Sequence, residues 1–222
     1  MEAQKRRAAE KAVARIESGM VVGLGTGSTA ALTVEALARR LDRGELHDIL
    51  GVPTSMRTRQ RAEALGIPLT TLDEYPRLDL TFDGADEVDP VGNLIKGGGG
   101  ALLWEKIVAV ASKRYVIVVD ESKLVEVLGE SFAVPVEVMP FGWRSHLDTM
   151  VALGAEPALR TGEGKKAFVT DGGHYIIDCR FPGGIADPER VDRVLQSRPG
   201  ILETGLFLGM TPEVIVGRSE QE

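Results

Sequence analysis

Cysteine is nearly missing from this chain of 222 residues, where Cys179 stands alone. One thiol makes no intrachain disulfide, no Cys-x-x-Cys redox pair and no thiolate zinc site. It lies in Tyr175-Ile176-Ile177-Asp178-Cys179-Arg180-Phe181, a strand-like run in which a packed thiol is expected rather than a nucleophile. Histidine is scarce too. His47, His146 and His174 are scattered, with no HxxxH or HxH spacing on which to build a metal site, and none is expected. A basic excess is also lacking: the net charge of −7 argues against a nucleic-acid or membrane-surface partner, because those need Lys and Arg over a whole face. An anionic ligand would require locally gathered cations. No stretch approaches the unbroken run of ~20 apolar residues that a membrane helix needs. Met1-Glu2-Ala3-Gln4-Lys5-Arg6-Arg7 leads into an amphipathic helix, not an apolar signal core, so a cytoplasmic chain is expected.

What is present is alternation. Hydrophobic residues make up 43% of the chain, enough for an ordinary core. A helix ending near Ser18 is followed by a strand at Met20-Val21-Val22-Gly23, a helix from Ser28 to Leu41, a strand at Asp48 to Val52 and a helix from Ser55 to Leu65. Leu78 to Phe82 and Tyr115 to Val119 follow as strands, separated by a helix from Ala101 to Ser112. Such alternation predicts an α/β fold: a Rossmann-like, mostly parallel sheet with helices on both faces. From about Gly129 the rhythm changes to a strand at Val134 to Val138, a helix near Trp143 to Leu153, paired strands joined by a hairpin-like turn at Thr170-Asp171-Gly172-Gly173, and a helix from Pro188 to Ser197. The expected division is an α/β catalytic domain of residues 1–128 with 205–222, and a smaller inserted α+β (ferredoxin-like) subdomain of residues 129–204. Val214-Ile215-Val216 would return to the first sheet.

Three segments carry chemistry. Gly23-Leu24-Gly25-Thr26-Gly27-Ser28-Thr29 joins a strand to a helix, where free N–H groups and the helix dipole favour an anion, unless it is only a tight turn capped by Ser28. Ser28 replaces the third glycine of GxGxxG, and the next strand ends Gly51-Val52-Pro53 without an acid for a ribose, which disfavours a nicotinamide cofactor. The acidic run Asp83-Gly84-Ala85-Asp86-Glu87-Val88-Asp89 begins where a strand gives way to loop. Its carboxylates suit sugar hydroxyls, a divalent metal shared by Asp83, Asp86 and Asp89, or simply a solvated turn. Lys96-Gly97-Gly98-Gly99-Gly100 then combines a cation with an entropically expensive backbone, either a ligand cradle or a flexible lid.

Glu105 falls in the first turns of a helix that is apolar nearly all round and therefore expected to be buried on most faces. Ala101, Val108 and Ala109 are its neighbours at one-turn spacing. Desolvation there raises a carboxyl pKa and the helix N-terminus lowers it, a combination suited to a general base near neutral pH. The plain alternative is a dipole-favoured surface Glu. Lys123 follows the strand Tyr115 to Val119 at another C-terminal strand edge, where it either meets a ligand or is a solvated surface charge.

Taken in order, Gly23 to Ala30, Asp83 to Asp89, Lys96 to Ala101 with Glu105, and Asp120-Glu121-Ser122-Lys123 resemble the type A ribose-5-phosphate isomerase family. The resemblance extends to Gly205-Leu206-Phe207 and Pro212-Glu213-Val214-Ile215-Val216-Gly217 and so covers essentially the whole chain. It implies a cofactor-free aldose-ketose isomerase of the non-oxidative pentose phosphate pathway that interconverts the small sugar phosphates D-ribose 5-phosphate and D-ribulose 5-phosphate through an enediolate, in homodimers or homotetramers. Glu105 matches the family's base and Asp83 the aspartate that assists ring opening; the enediolate oxygen then calls for a fixed cation, and Lys96 is the one expected to supply it. Thr26, Gly27, Ser28, Thr29, Asp83, Gly84, Ala85, Asp86, Lys96, Gly97, Gly98, Gly99 and Lys123 match its substrate-binding shell, and Lys5 matches a further lysine near the N-terminus. A non-catalytic sugar-phosphate sensor is the alternative, although only one helix precedes the glycine loop where a repressor would carry a helix-turn-helix.

Overall fold

The computed structural model describes residues 2–218. The elements in chain order are α1 (Glu2–Val13), β1 (Val21–Leu24), α2 (Ser28–Asp42), β2 (Leu50–Pro53), α3 (Met56–Ala64), β3 (Leu80–Asp83), β4 (Glu87–Val88), β5 (Leu94–Ile95), α4 (Leu102–Val110) and β6 (Tyr115–Asp120). They continue with β7 (Val134–Val138), α5 (Leu147–Ala152), β8 (Glu156–Leu159), β9 (Tyr175–Arg180), α6 (Pro188–Gln196), β10 (Ile201–Thr204), β11 (Leu206–Phe207) and β12 (Glu213–Gly217). The chain forms two compact units.

One unit takes the residues up to Ala85, Trp104–Lys123 and the residues from Met210 on. Its five strands pair in parallel in the order β12-β6-β3-β1-β2. Alternate residues of β1 serve opposite faces, as the pleat requires. Val22 and Leu24 enter a core with Ala8, Ala12, Val34 and Leu37 of α1 and α2, whereas Val21 packs with Val108 of α4. Helices therefore cover both faces. From β1 the chain adds β2 on one side and β3 on the other, so the strand order reverses between β1 and β3, the place where open parallel sheets bind ligands.

The other unit takes Asp86–Leu103 and Leu124–Gly209. Its four-stranded sheet runs β10-β7-β9-β8, all antiparallel, with α5 between β7 and β8 and α6 between β9 and β10. That is the ferredoxin-like connection. Val134, Val136 and Val138 turn one face of β7 toward Met150 of α5 and Val191 and Leu195 of α6. Asp187 caps α6 by accepting the Arg190 N–H at 2.9 Å, with Pro188 following it. A small sheet β11-β5-β4 completes this unit, which brings residues 86–103 into company with residues 124–209.

Two local expectations change. The turn at Asp171–Gly173 exists, closed by the Gly173 N–H on the Thr170 carbonyl at 2.9 Å, but no regular strand precedes it. The partner of β9 is β8, which ends at Leu159, eleven residues before Thr170 opens that turn, because the intervening chain forms an irregular excursion. The helix expected from Trp143 to Leu153 is a 3₁₀ turn over Trp143–His146 running into α5. Cys179 is fully buried in β9, and burial, helped by Asp178, pushes its thiol up to about 12. It is inert packing.

Candidate active site

In the parallel unit, the chain leaves β1, β3 and β6 at the same sheet edge. The glycines after β1 are required first by packing. A Cβ on Gly23 would overlap the Thr81 hydroxyl, and one on Gly25 would overlap the Asp83 carboxylate and the Phe82 carbonyl. The freed space is used: Asp83, fully buried, accepts the Thr26 N–H at 3.0 Å and the Gly84 N–H at 2.8 Å through one oxygen. Thr26 turns its hydroxyl inward to Thr54 and Ser55, both at 2.8 Å, and to Thr58 at 3.1 Å. The residue shapes the turn from within. Gly27, at φ 115°, is the N-cap of α2 with open space around it, so Ser28 is the first helical residue and not the cap.

Ser28 is exposed and accepts a bond from the Lys5 ammonium at 3.2 Å. The same ammonium lies 3.6 Å from Asp120, the last residue of β6. Asp120 also accepts the Ser122 N–H at 3.0 Å and the Ser122 hydroxyl. Burial works to raise its pKa, but these bonds and the Lys5 and Lys123 charges prevail and hold it below the usual aspartate range. Two lysines, the start of α2 and one committed carboxylate thus form a single cluster. Lys5, beside two arginines in sequence, carries no local signal of this placement; only α1 packing along the sheet delivers it.

Glu105 is 3% exposed in the first turn of α4. Ala101, Val108 and Ala109 are buried as their spacing predicts, but Ile107 and Val110 are 49% and 72% exposed, so α4 is not enclosed on most faces. It lies on a sheet, and its far side meets solvent despite being apolar.

In the second unit the glycine run is held rather than loose. Gly97 and Gly100 adopt φ of 106° and 81°, conformations that L side chains rarely take. A Cβ on Gly97 would press on Leu102, and one on Gly100 on the Phe168 ring. The Gly98 N–H donates to Asp86 at 2.8 Å, and Lys96, 2% exposed, donates its N–H to the Gly205 carbonyl at 2.9 Å while its ammonium sits 5.5 Å from the centre of the Phe207 ring. Gly99 is exposed at the tip. The flexible-lid reading does not survive this packing.

The rest of the acidic run is committed to the fold. Asp89 takes the Val91 and Asn93 N–H groups at 3.0 and 2.7 Å and the Asn93 amide at 3.1 Å, closing the turn into β5. Glu87 is fully buried and accepts four bonds, from the N–H groups of Gly129, Ser131 and Phe132 and the Ser131 hydroxyl, at 2.6–2.7 Å. Its partners lie 42 to 45 residues away, which no local pattern signals. Among the described residues, no group of three or more His, Cys, Asp or Glu side chains is placed to hold a metal ion.

The parallel unit, with polar loops at its strand-order reversal and a buried carboxylate on one of its covering helices, is an open α/β sheet of the kind that binds ligands at that edge. Residues 50–221 match the family model described as ribose 5-phosphate isomerase A (phosphoriboisomerase A). The chain belongs to that family. It is 56% identical over 214 residues to ribose-5-phosphate isomerase A of Gloeobacter violaceus, covering 96% of this chain and 91% of the relative. A solved D-ribose-5-phosphate isomerase in complex with phospho-erythronic acid superposes with a TM-score of 0.94 at 42% identity, over 98% of this chain and 95% of the other. The ribose 5-phosphate isomerase of Plasmodium falciparum superposes with a TM-score of 0.95 at 37% identity, over 100% and 97%.

Proposed function

We propose that the chain interconverts D-ribose 5-phosphate and D-ribulose 5-phosphate through an enediolate, without a cofactor, with Glu105 as the base. The observation that carries this reading is the burial of the Glu105 carboxylate in the first turn of α4, in a chain whose family is defined over residues 50–221. The carboxylate takes the proton from C2 of the open-chain aldose. Electrons move into the C1 carbonyl and leave negative charge on O1. The proton then returns to C1, while the O2 hydroxyl proton passes to O1, so that the carbonyl now stands at C2.

Charge on that oxygen is the main barrier, and Lys96 is the cation assigned to stabilise it. Asp83 assists ring opening, and it holds sugar hydroxyls together with Asp86 and the Gly84-Ala85 and Gly97-Gly98-Gly99 backbone. The phosphate goes to Gly27, Ser28, Thr29, Lys123 and Lys5, supported by the lysine cluster at the start of α2. The cytoplasm is the proposed compartment, and no helix among the described residues is long and apolar enough to cross a membrane. Two or four copies form the working assembly. Sedimentation equilibrium checks it.

The deciding experiment is ribose 5-phosphate turnover by the purified chain after exhaustive chelation. Ketopentose formation at an undiminished rate is expected. Activity that vanishes with EDTA and returns with a divalent metal would transfer the reaction to a metal-assisted mechanism.

A further inference from the structure

The glycine run has no side chains of its own to hold it, so whatever fixes Gly97 and Gly98 must bond to their backbone. Arg160 does so. Its Nη1 donates to the Gly97 carbonyl at 2.8 Å and to the Gly98 carbonyl at 3.2 Å. The remainder of the guanidinium is occupied by Asp178 of β9, Nε on Oδ2 at 2.9 Å and Nη2 on Oδ1, a two-point fork that sets the plane of the group. The base of the side chain is equally fixed: the Arg160 N–H continues the β8–β9 ladder onto the Ile176 carbonyl at 2.8 Å. The Phe168 N–H returns to the Arg160 carbonyl at 2.9 Å, and its ring, 5.9 Å from the guanidinium, fills the space beside Gly100. With its side chain 14% exposed, Arg160 is a largely buried cation that gives one nitrogen to the glycine run and two to Asp178.

A trans peptide points its N–H opposite its carbonyl. Pinning the Gly97 carbonyl therefore directs the Gly98 N–H away from Arg160, and there it meets the Asp86 carboxylate at 2.8 Å. Pinning the Gly98 carbonyl does the same for the Gly99 N–H, at the exposed tip of the run. One guanidinium thus orders two successive peptides, the carboxylate bonded to the first, and the strand end that carries Lys96.

We propose that Arg160, oriented by Asp178, is a positioning residue for the isomerase reaction, holding the Lys96–Gly99 backbone and Asp86 in the arrangement that turnover needs before substrate arrives. The proposal rests on the reading that this loop serves the enediolate step. Lysine would not replace Arg160, since an ammonium lacks the planar fork that reaches Asp178 and two carbonyls together.

The test compares Arg160→Met, Arg160→Ala, Asp178→Asn and Lys96→Ala in the full chain, each checked for folding by circular dichroism. Arg160→Met should lower kcat by roughly 10- to 100-fold, the scale of a small misplacement of reacting groups, with a lesser change in KM. Guanidinium ion at millimolar concentration should restore part of kcat to Arg160→Ala, which a merely stabilising role would not permit. Asp178→Asn should lower kcat in the wild-type background and not further in Arg160→Met. A folded Arg160→Met with kcat within threefold of wild type, while Lys96→Ala is inactive, overturns the positioning role and leaves the Lys96 assignment standing. An active Lys96→Ala beside a slow Arg160→Met that guanidinium rescues in the alanine form removes Lys96 and keeps the positioning role. Should neither Arg160 variant fold, Asp178→Asn decides: wild-type kcat in that folded variant overturns the proposal, and a reduced kcat supports it.

Discussion

Asp83 accepts the Thr26 N–H at 3.0 Å, tying the turn after β1 to the end of β3. The same oxygen takes the Gly84 N–H, so the carboxylate organises two loops before it meets any ligand. Its structural and chemical duties can be separated. Asp83→Ala leaves both donors without their acceptor and should cost about 1–3 kcal/mol of stability. Asp83→Asn retains an acceptor oxygen and should cost less, yet lose activity on the cyclic sugar. Urea denaturation beside turnover measures both; an alanine variant as stable as wild type would contradict this account.

Glu105→Gln preserves shape and removes the base. Turnover should fall by roughly 10²-fold or more with substrate binding retained. Steady-state rates together with ribose 5-phosphate titration give the comparison, and activity within a few-fold of wild type would take Glu105 out of the mechanism.

Lys96→Ala should act on kcat more than on KM, because its charge is assigned to an oxygen that becomes negative only during reaction. A rise confined to KM would make Lys96 a ground-state ligand instead.

Proton transfer by one carboxylate exposes the proton to exchange with water. Isomerisation of ribose 5-phosphate in D₂O should therefore place deuterium at C1 of the ketose, to an extent limited by solvent exclusion. Mass spectrometry or NMR reads it. Full retention of the C2 hydrogen together with loss of activity in EDTA would favour a hydride shift.

Asp120 titrates below the ordinary aspartate value of 3.8, because the Ser122 bonds and the Lys5 and Lys123 charges outweigh its burial. A depressed folded pKa contributes stability above the unfolded value and loses it as pH falls through the folded one. Asp120→Asn should thus be less stable than wild type at pH 7, with the gap narrowing below about pH 4. Denaturation series at several pH values test the sign; a gap independent of pH would show that the carboxylate charge is not what matters.

Much of the architecture was legible because it is periodic. The strand and helix patterns from Val21 to Asp120 give the parallel sheet, and β7, α6 and β12 fall within a residue or two of their expected places. Three of the four motifs stood out for a different reason, since an acidic run, a glycine run and a strand-to-helix glycine turn are each contiguous in the chain. β4, β5 and β11 were invisible because two-residue strands carry no period. β8 escaped as well: its sequence Glu-Pro-Ala-Leu offers little β-propensity, and pairing with β9 is what makes it a strand.

By itself the sequence determined which residue types lie at each strand edge, through local periodicity the class of fold, and through its motifs the resemblance to the family. Tertiary structure decided what those residues touch. Gly23 and Gly25 turn out to make room for Thr81 and Asp83, Glu87 is spent on residues 129–132, Lys5 joins Ser28 and Asp120, and Arg160 reaches the glycine run from 62 and 63 residues away. Hydrogen bonds and close contacts are made in space, so partners so far apart along the chain leave no pattern that a window of sequence can hold.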